Sequence, residues 1–413
     1  MHLLLFIGYS LLIIYGLLKI PFVRDCGIRP VFVLLFFALH AATGILHNWI
    51  AFRYYPGHGD PWQFYQLSFM YRTRLLSDFS RFMEDNSTLT YITHNGIIGV
   101  NMLLNIFSRD NLDINTLLFS FPVFLGNIAL FRVFRRRFPD AAAAALTVFL
   151  LPSTLFWTVC IHREGVLYML LGLLTWAFDR WLVSPRLHRR SLYCCLLSLL
   201  LILFFRFYIV LSLLPALVIW LLLEKPSLTR RLLTPVAAIA ALTILLLVFA
   251  PGLSGRLAQA ITARQLEFSQ LEGNSRLPLP RWTAPGPAFL GSSPQPSAMA
   301  SSNHLPGSGG KPLYLAFSVE LVTIWCLIII SLLWRRKHPS APQPFLAFCL
   351  FFSLSGLLVI GAMVPFAGAI VRYRSFFLPF LLAPALWWLK TFPIIRRLDD
   401  LVENHILNSN HSY

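Results

Sequence analysis

Four groups of residues in this sequence have the types and spacing to do chemistry. Residues 59–66 read Gly59-Asp60-Pro61-Trp62-Gln63-Phe64-Tyr65-Gln66, a carboxylate beside a turn in a polar, aromatic-rich run. His162-Arg163-Glu164 is the whole connection between two apolar stretches, Arg206 interrupts another, and Arg372-Tyr373-Arg374 opens the last one. Charges within or beside apolar segments are expensive, so they pair or meet a ligand. This set holds both signs. Arginine forks bind phosphate oxygens and a carboxylate accepts a hydroxyl proton, which suits a sugar linked through phosphate to a lipid. His94 and His162 add hydrogen-bonding capacity on the same side, and Trp62, Gln63 and Tyr65 offer stacking and polar contacts to sugar faces.

Each group also has a plainer reading. Gly-Asp-Pro is an ordinary turn or helix cap. Arg163 and Glu164 can form a structural ion pair in a tight hairpin, Arg206 can snorkel to an interface, and Arg372 and Arg374 can anchor to lipid headgroups. Trp62 and Tyr65 fit an aromatic belt.

The elements that must position these residues follow from composition. Of 413 residues, 57% are hydrophobic and 12% charged, which excludes an ordinary soluble domain and implies an all-α polytopic membrane protein. Candidate spans are 2–18, 31–51, 115–134, 141–160, 165–183, 191–205, 207–223, 232–250, 313–333, 344–362 and 375–390, about eleven in all. The net charge of +17 is concentrated in short clusters between spans, such as Arg135-Arg136-Arg137 and Arg335-Arg336-Lys337. These clusters all fall on one side, the cytoplasm, so the basicity reports topology and implies no nucleic-acid partner. That assignment requires residues 91–107, with His94, Asn95, Asn101 and Asn105, to form an interfacial or re-entrant helix. The expected organisation is one transmembrane domain over 1–390. It holds an embedded outer loop at 52–114 with Asp60, a Pro/Ser/Gly-rich outer loop at 251–312 suited to a lid, and a cytoplasmic tail at 391–413. The six cysteines show no C-x-x-C or Cys/His spacing and indicate neither a disulfide framework nor a structural metal.

The order of these elements resembles the membrane-embedded glycosyltransferases of the C superfamily. Gly59-Asp60-Pro61-Trp62-Gln63-Phe64-Tyr65 is similar to that family's acidic motif in the first outer loop. The embedded 91–107 stretch, the helix ending at Arg135-Arg136-Arg137, the segment 151–157 with Pro152, the His162-Arg163-Glu164 loop and the late Arg372-Tyr373-Arg374 with Pro379 follow in the family's order. The second acid is Glu164 where Asp is more usual, and no large C-terminal soluble domain follows, which argues against a protein oligosaccharyltransferase. The resemblance implies a bacterial inner-membrane enzyme whose site faces the periplasm. It would move a sugar from a polyprenyl-phosphate donor to a lipid or glycan acceptor, with Asp60 as base, Glu164 as second acid and the arginines on phosphate. No metal ligand is assigned, although an outer-face acid pair can bind a divalent ion. Two alternatives stand beside it: a glycan polymerase or ligase using polyprenyl-diphosphate donors, and a flippase for lipid-linked sugars.

Overall fold

The computed structural model describes residues 1–54, 59–85, 89–138, 142–184, 189–225, 312–333, 343–364, 366–389 and 392–408. The expected span 232–250 and all of the 251–312 loop except Pro312 lie outside them. Among the described residues seven helices are long and apolar enough to cross a membrane, or eight if one bent pair counts as a span, so the chain is a multi-pass membrane protein. It divides into two compact units, residues 1–207 with 386–413, and residues 208–385.

In the first unit the helices are α1 (His2–Lys19), α2 (Pro21–Arg24), α3 (Pro30–Tyr54), α4 (Gly59–Ser77), α5 (Phe79–Asp85), α6 (Leu89–Ser108) and α7 (Leu112–Arg137). They continue as α8 (Ala142–Leu150), α9 (Pro152–Thr158), α10 (Arg163–Val183) and α11 (Arg189–Phe205). The stretch expected to form one span at 141–160 is therefore two short helices. Leu151 is extended (φ −70°, ψ 116°) because the following Pro152 disfavours helical geometry in the residue before it, and Pro152 then starts α9.

The centre of this unit is the packing of α7 against α10. A Cβ on Gly126 would lie 2.5 Å from the Met169 backbone, and one on Gly172 would strike the Gly126 backbone, so these two glycines let the helices touch. At one end of the pair Asp179, 2% exposed, accepts from Arg136 Nη1 at 2.6 Å and Arg137 Nε at 2.7 Å. Part of the Arg135-Arg136-Arg137 cluster is thus committed inside the protein, where one buried carboxylate is met by two cations.

The other face of α7 is polar. Asn115 donates through Nδ2 to the side-chain oxygens of Asn101 (2.8 Å) and Asn105 (2.5 Å), Asn105 donates to Ser68 (2.7 Å), and Asn48 donates to Thr116 (2.8 Å). Asn101 and Asn105 of the 91–107 stretch therefore face protein. Their polarity, which argued for an interfacial placement, is absorbed by α7 and α4.

The segment expected as a tail is folded against this unit. Helix α12 (Phe207–Glu224), α13 (Pro312–Leu333), α14 (Gln343–Met363), α15 (Ala367–Arg374) and α16 (Leu378–Trp388) precede it in the chain, and α17 (Pro393–Leu401) lies within it. Asp399 accepts the Ala143 amide at 2.8 Å and so caps the start of α8, while Glu403 pairs with Arg135 at 2.6 Å. Arg29 donates to the carbonyls of Asn404 and Leu407.

The second unit runs from Tyr208 in α12 to Ala385 in α16. Its interior is aromatic: Trp220 lies 4.8 Å from Phe345 and 4.9 Å from Phe348, and Phe352 packs at a tilt against Phe377 and edge-on to Phe380. The last expected span, 375–390, holds α16, which is bent by 59° from the preceding helix, residues 368–374. Arg372 and Arg374 consequently close α15, where cations favour the negative end of the helix dipole, rather than opening α16.

If the α7–α10 contact depends on the Asp179 triad, Asp179→Ala lowers unfolding stability by about 3–5 kcal/mol, because it removes the buried carboxylate that faces the mostly buried Arg137. Arg136→Ala, at a side chain 40% exposed, costs less than about 1 kcal/mol. Chemical unfolding of the purified protein in detergent measures both.

Candidate functional site

Asp60 lies in the first turn of α4, next to Pro61, where a carboxylate complements the positive end of the helix dipole. It is partly buried, and Gln63 is exposed. The aromatic residues around it hold α4 in place. Trp62 Nε1 donates to the Asn48 carbonyl of α3 at 3.0 Å, and its ring packs 4.9 Å from Phe52 and 5.8 Å from Tyr65. Tyr65 donates its hydroxyl to the Asp110 carbonyl at 2.7 Å. Burial, and then the Asp110 carboxylate, raise the Tyr65 phenol above its ordinary pKa. Arg72 forks onto both Asp110 carboxylate oxygens. Between α6 and α7, Arg109 (φ 53°) and Asp110 (φ 62°) take the left-handed conformation, and Arg72 with Tyr65 secures that turn. Tyr65, expected to stack on a sugar, thus has a structural task in its hydroxyl.

The start of α10 supplies the second acid. His162 is the residue before the helix, with extended backbone, and Glu164 in the first turn is 2% exposed. Arg206, in the break between α11 and α12, donates through Nη2 to Glu164 Oε1 at 3.3 Å. Arg206 therefore turns inward to a carboxylate 42 residues away in the chain. Arg163 is partly buried beside it.

These two parts meet through apolar contacts. The Phe64 ring lies 6.1 Å from His162, and Trp62, Phe64, Tyr65 and Val166 pack on one cluster with Ile161, Ile97, Phe119 and Val123. The first unit thus gathers Asp60, Trp62, Gln63, Tyr65, His162, Arg163, Glu164 and Arg206 on the elements around this cluster. The side chain of His94, on α6, lies outside the described residues.

Arg372, Tyr373 and Arg374 belong to the second unit. Arg374 is 1% exposed and donates to the Phe317 carbonyl at 3.3 Å, which removes it as a headgroup anchor. Arg372 lies over the Tyr373 ring at 5.1 Å and donates to its hydroxyl at 3.3 Å. Tyr373 in turn sits 6.3 Å from Tyr208.

One cluster went unread in the sequence. His47 of α3, Cys160 and His162 are all buried, and one ligand atom from each lies within 4.8 Å of the others. This corrects the expectation of no Cys/His spacing: Cys160-Ile161-His162 is a C-x-H pair, and it was the one sequence signal available. His47 looked like part of an apolar span. No protein-family model, no curated protein and no solved structure matches the chain.

Proposed function

We propose that the chain is a glycosyltransferase of about eleven spans with a C-superfamily type of fold, acting on the outer face of a bacterial inner membrane. Its donor is a sugar on polyprenyl phosphate, and its acceptor is a lipid-linked or envelope glycan. The observation that carries this reading is the buried Glu164–Arg206 pair at the start of α10, packed through His162 and Phe64 against the helix that holds Asp60. Two acids and two arginines on neighbouring elements provide the charges that phosphate departure and hydroxyl attack require.

In this reaction the acceptor oxygen forms a bond to the anomeric carbon while the bond from that carbon to the phosphate oxygen breaks. The bonding electrons leave on the phosphate, the hydroxyl proton passes to Asp60, and configuration inverts. Arg163 and Arg206 stabilise the departing phosphate, and Glu164 orients Arg206. The departing lipid phosphate needs positive charge more than it needs a proton.

A second reading, transport of lipid-linked sugars, draws on the polar face inside α3, α6 and α7. There Asn101 Nδ2, Asn115 Oδ1 and Ser120 Oγ are buried without hydrogen-bond partners among the described residues. Polar groups inside spans mark transport paths in many carriers. The Asn48–Thr116 and Asn101–Asn115–Asn105–Ser68 bonds close that face, so glycosyl transfer is preferred.

With undecaprenyl-phosphate hexoses and pentoses offered to the protein in nanodiscs, Asp60→Asn should cut transfer by about 10²–10⁴-fold with an unchanged elution profile. Full activity in the folded variant removes Asp60 as the base. Preference for diphosphate over monophosphate donors would favour the polymerase or ligase reading. Arg206→Gln should raise the donor KM by about tenfold or more, and it should also lower the melting temperature because Glu164 keeps a buried charge without its arginine. Loss of stability with an unchanged donor KM would make the pair structural only.

A further inference from the structure

The trio beside Glu164 does not enter the transfer chemistry, and its donor set is specific. Gly44 places it. A Cβ at that position would lie 2.7 Å from Thr116 Cγ2 and 3.1 Å from the Val159 carbonyl, so α3 comes against the turn after α9 only because residue 44 has no side chain. His47 is one helical turn further along the same buried face of α3, with His40, Gly44, Asn48 and Ala51. That places its ring 4.5 Å from Phe156, 5.4 Å from Trp157 and 5.5 Å from His162, the last at 86° between planes. Cys160 is fully buried and its thiol donates to the Trp157 carbonyl at 3.8 Å. The turn is tight: the His162 amide donates to the Cys160 carbonyl at 2.6 Å, which holds the two ligand-bearing residues on one short bend.

We propose that His47, Cys160 and His162 form a site for a zinc-class divalent ion that clamps α3 to the turn leading into Glu164. Two imidazoles and a thiolate are borderline-to-soft donors, the set that selects zinc over magnesium, calcium or manganese. Ligand atoms around tetrahedral zinc lie about 3.3–3.7 Å apart for bonds of about 2.0–2.3 Å. Closing from within 4.8 Å therefore takes an inward shift of about half an ångström by each side chain. Binding replaces the thiol proton, which leaves to solvent, so one proton is released per ion and the bound complex carries one net positive charge. Three protein ligands leave one tetrahedral position for a non-protein ligand. The site stands independently of glycosyl transfer, and either can fail without the other.

The test uses the full chain purified in detergent without chelator, then stripped and titrated with zinc alone and with cobalt(II) alone. The expected result is one zinc per chain and a cobalt adduct with a thiolate-to-cobalt charge-transfer band that excess magnesium does not remove. Cys160→Ser should abolish that band and weaken zinc binding by about 100-fold or more, above the loss from removing an outer-shell partner. Cys195→Ser, at a buried thiol elsewhere, should change neither. X-ray absorption of the unmutated zinc protein needs no variant and should show one sulfur and two imidazole nitrogens. A shell of oxygens only, a band that survives Cys160→Ser, or no zinc bound at all overturns the site and leaves the trio as aromatic packing.

Discussion

The first unit depends on α7 lying directly against α10. Between apolar helices in lipid there is little hydrophobic drive for association, so close van der Waals contact and polar links must supply it. Gly126 and Gly172 provide the contact, and the Asp179 triad fixes one end of it. Arg163 and Glu164 of the proposed site lie at the other end of α10, directly after His162. A shift of α10 relative to α7 moves Glu164, His162 and the turn that carries Cys160 together.

That arrangement explains why α7 tolerates so many polar residues. An asparagine facing lipid forfeits its hydrogen bonds, but Asn115 is held between Asn101 and Asn105, and Thr116 accepts from Asn48. These bonds tie α3 and α6 to α7, and the Asn105–Ser68 bond carries α4 along through α6. The turn between α6 and α7 then carries backbone strain at Arg109 and Asp110, offset by the Arg72 fork and the Tyr65 hydroxyl. Residues that look like a binding platform in the sequence are in this respect the fasteners of the platform.

Legibility in the sequence followed the range of the interaction. Long apolar runs such as 2–18, 31–51 and 165–183 are local properties and appear as α1, α3 and α10. The break at Pro152 was equally local, but the surrounding apolarity of 141–160 outweighed it in a window the length of a span. Arg136 and Arg137 read as topology signals because their partner, Asp179, is more than 40 residues away. The Glu164–Arg206 contact was foreseen only as two charges on one face, since charge type and side are sequence properties and contact is not. His47 was invisible because one histidine in an apolar helix has no meaning until the glycine one turn earlier brings Cys160 beside it.

The two buried acids of α10 are not equivalent, and the helix itself makes them differ. Asp179 lies near the negative end of the dipole, which opposes its charge, so two close arginine contacts at 2.6 and 2.7 Å are needed to keep it buried. Glu164 lies at the positive end, where the backbone already favours a carboxylate, and Arg206 meets it at a longer 3.3 Å. Glu164 therefore draws its stabilisation from the helix as well as from Arg206. Fifteen residues of helix, about 22 Å, separate the two acids, so they sit toward opposite faces of a hydrocarbon core about 30 Å thick. One end is thereby a closed structural clasp. The other holds Arg206, which in the proposed transfer reaction would offer its guanidinium to a phosphate oxygen as well as to the Glu164 carboxylate.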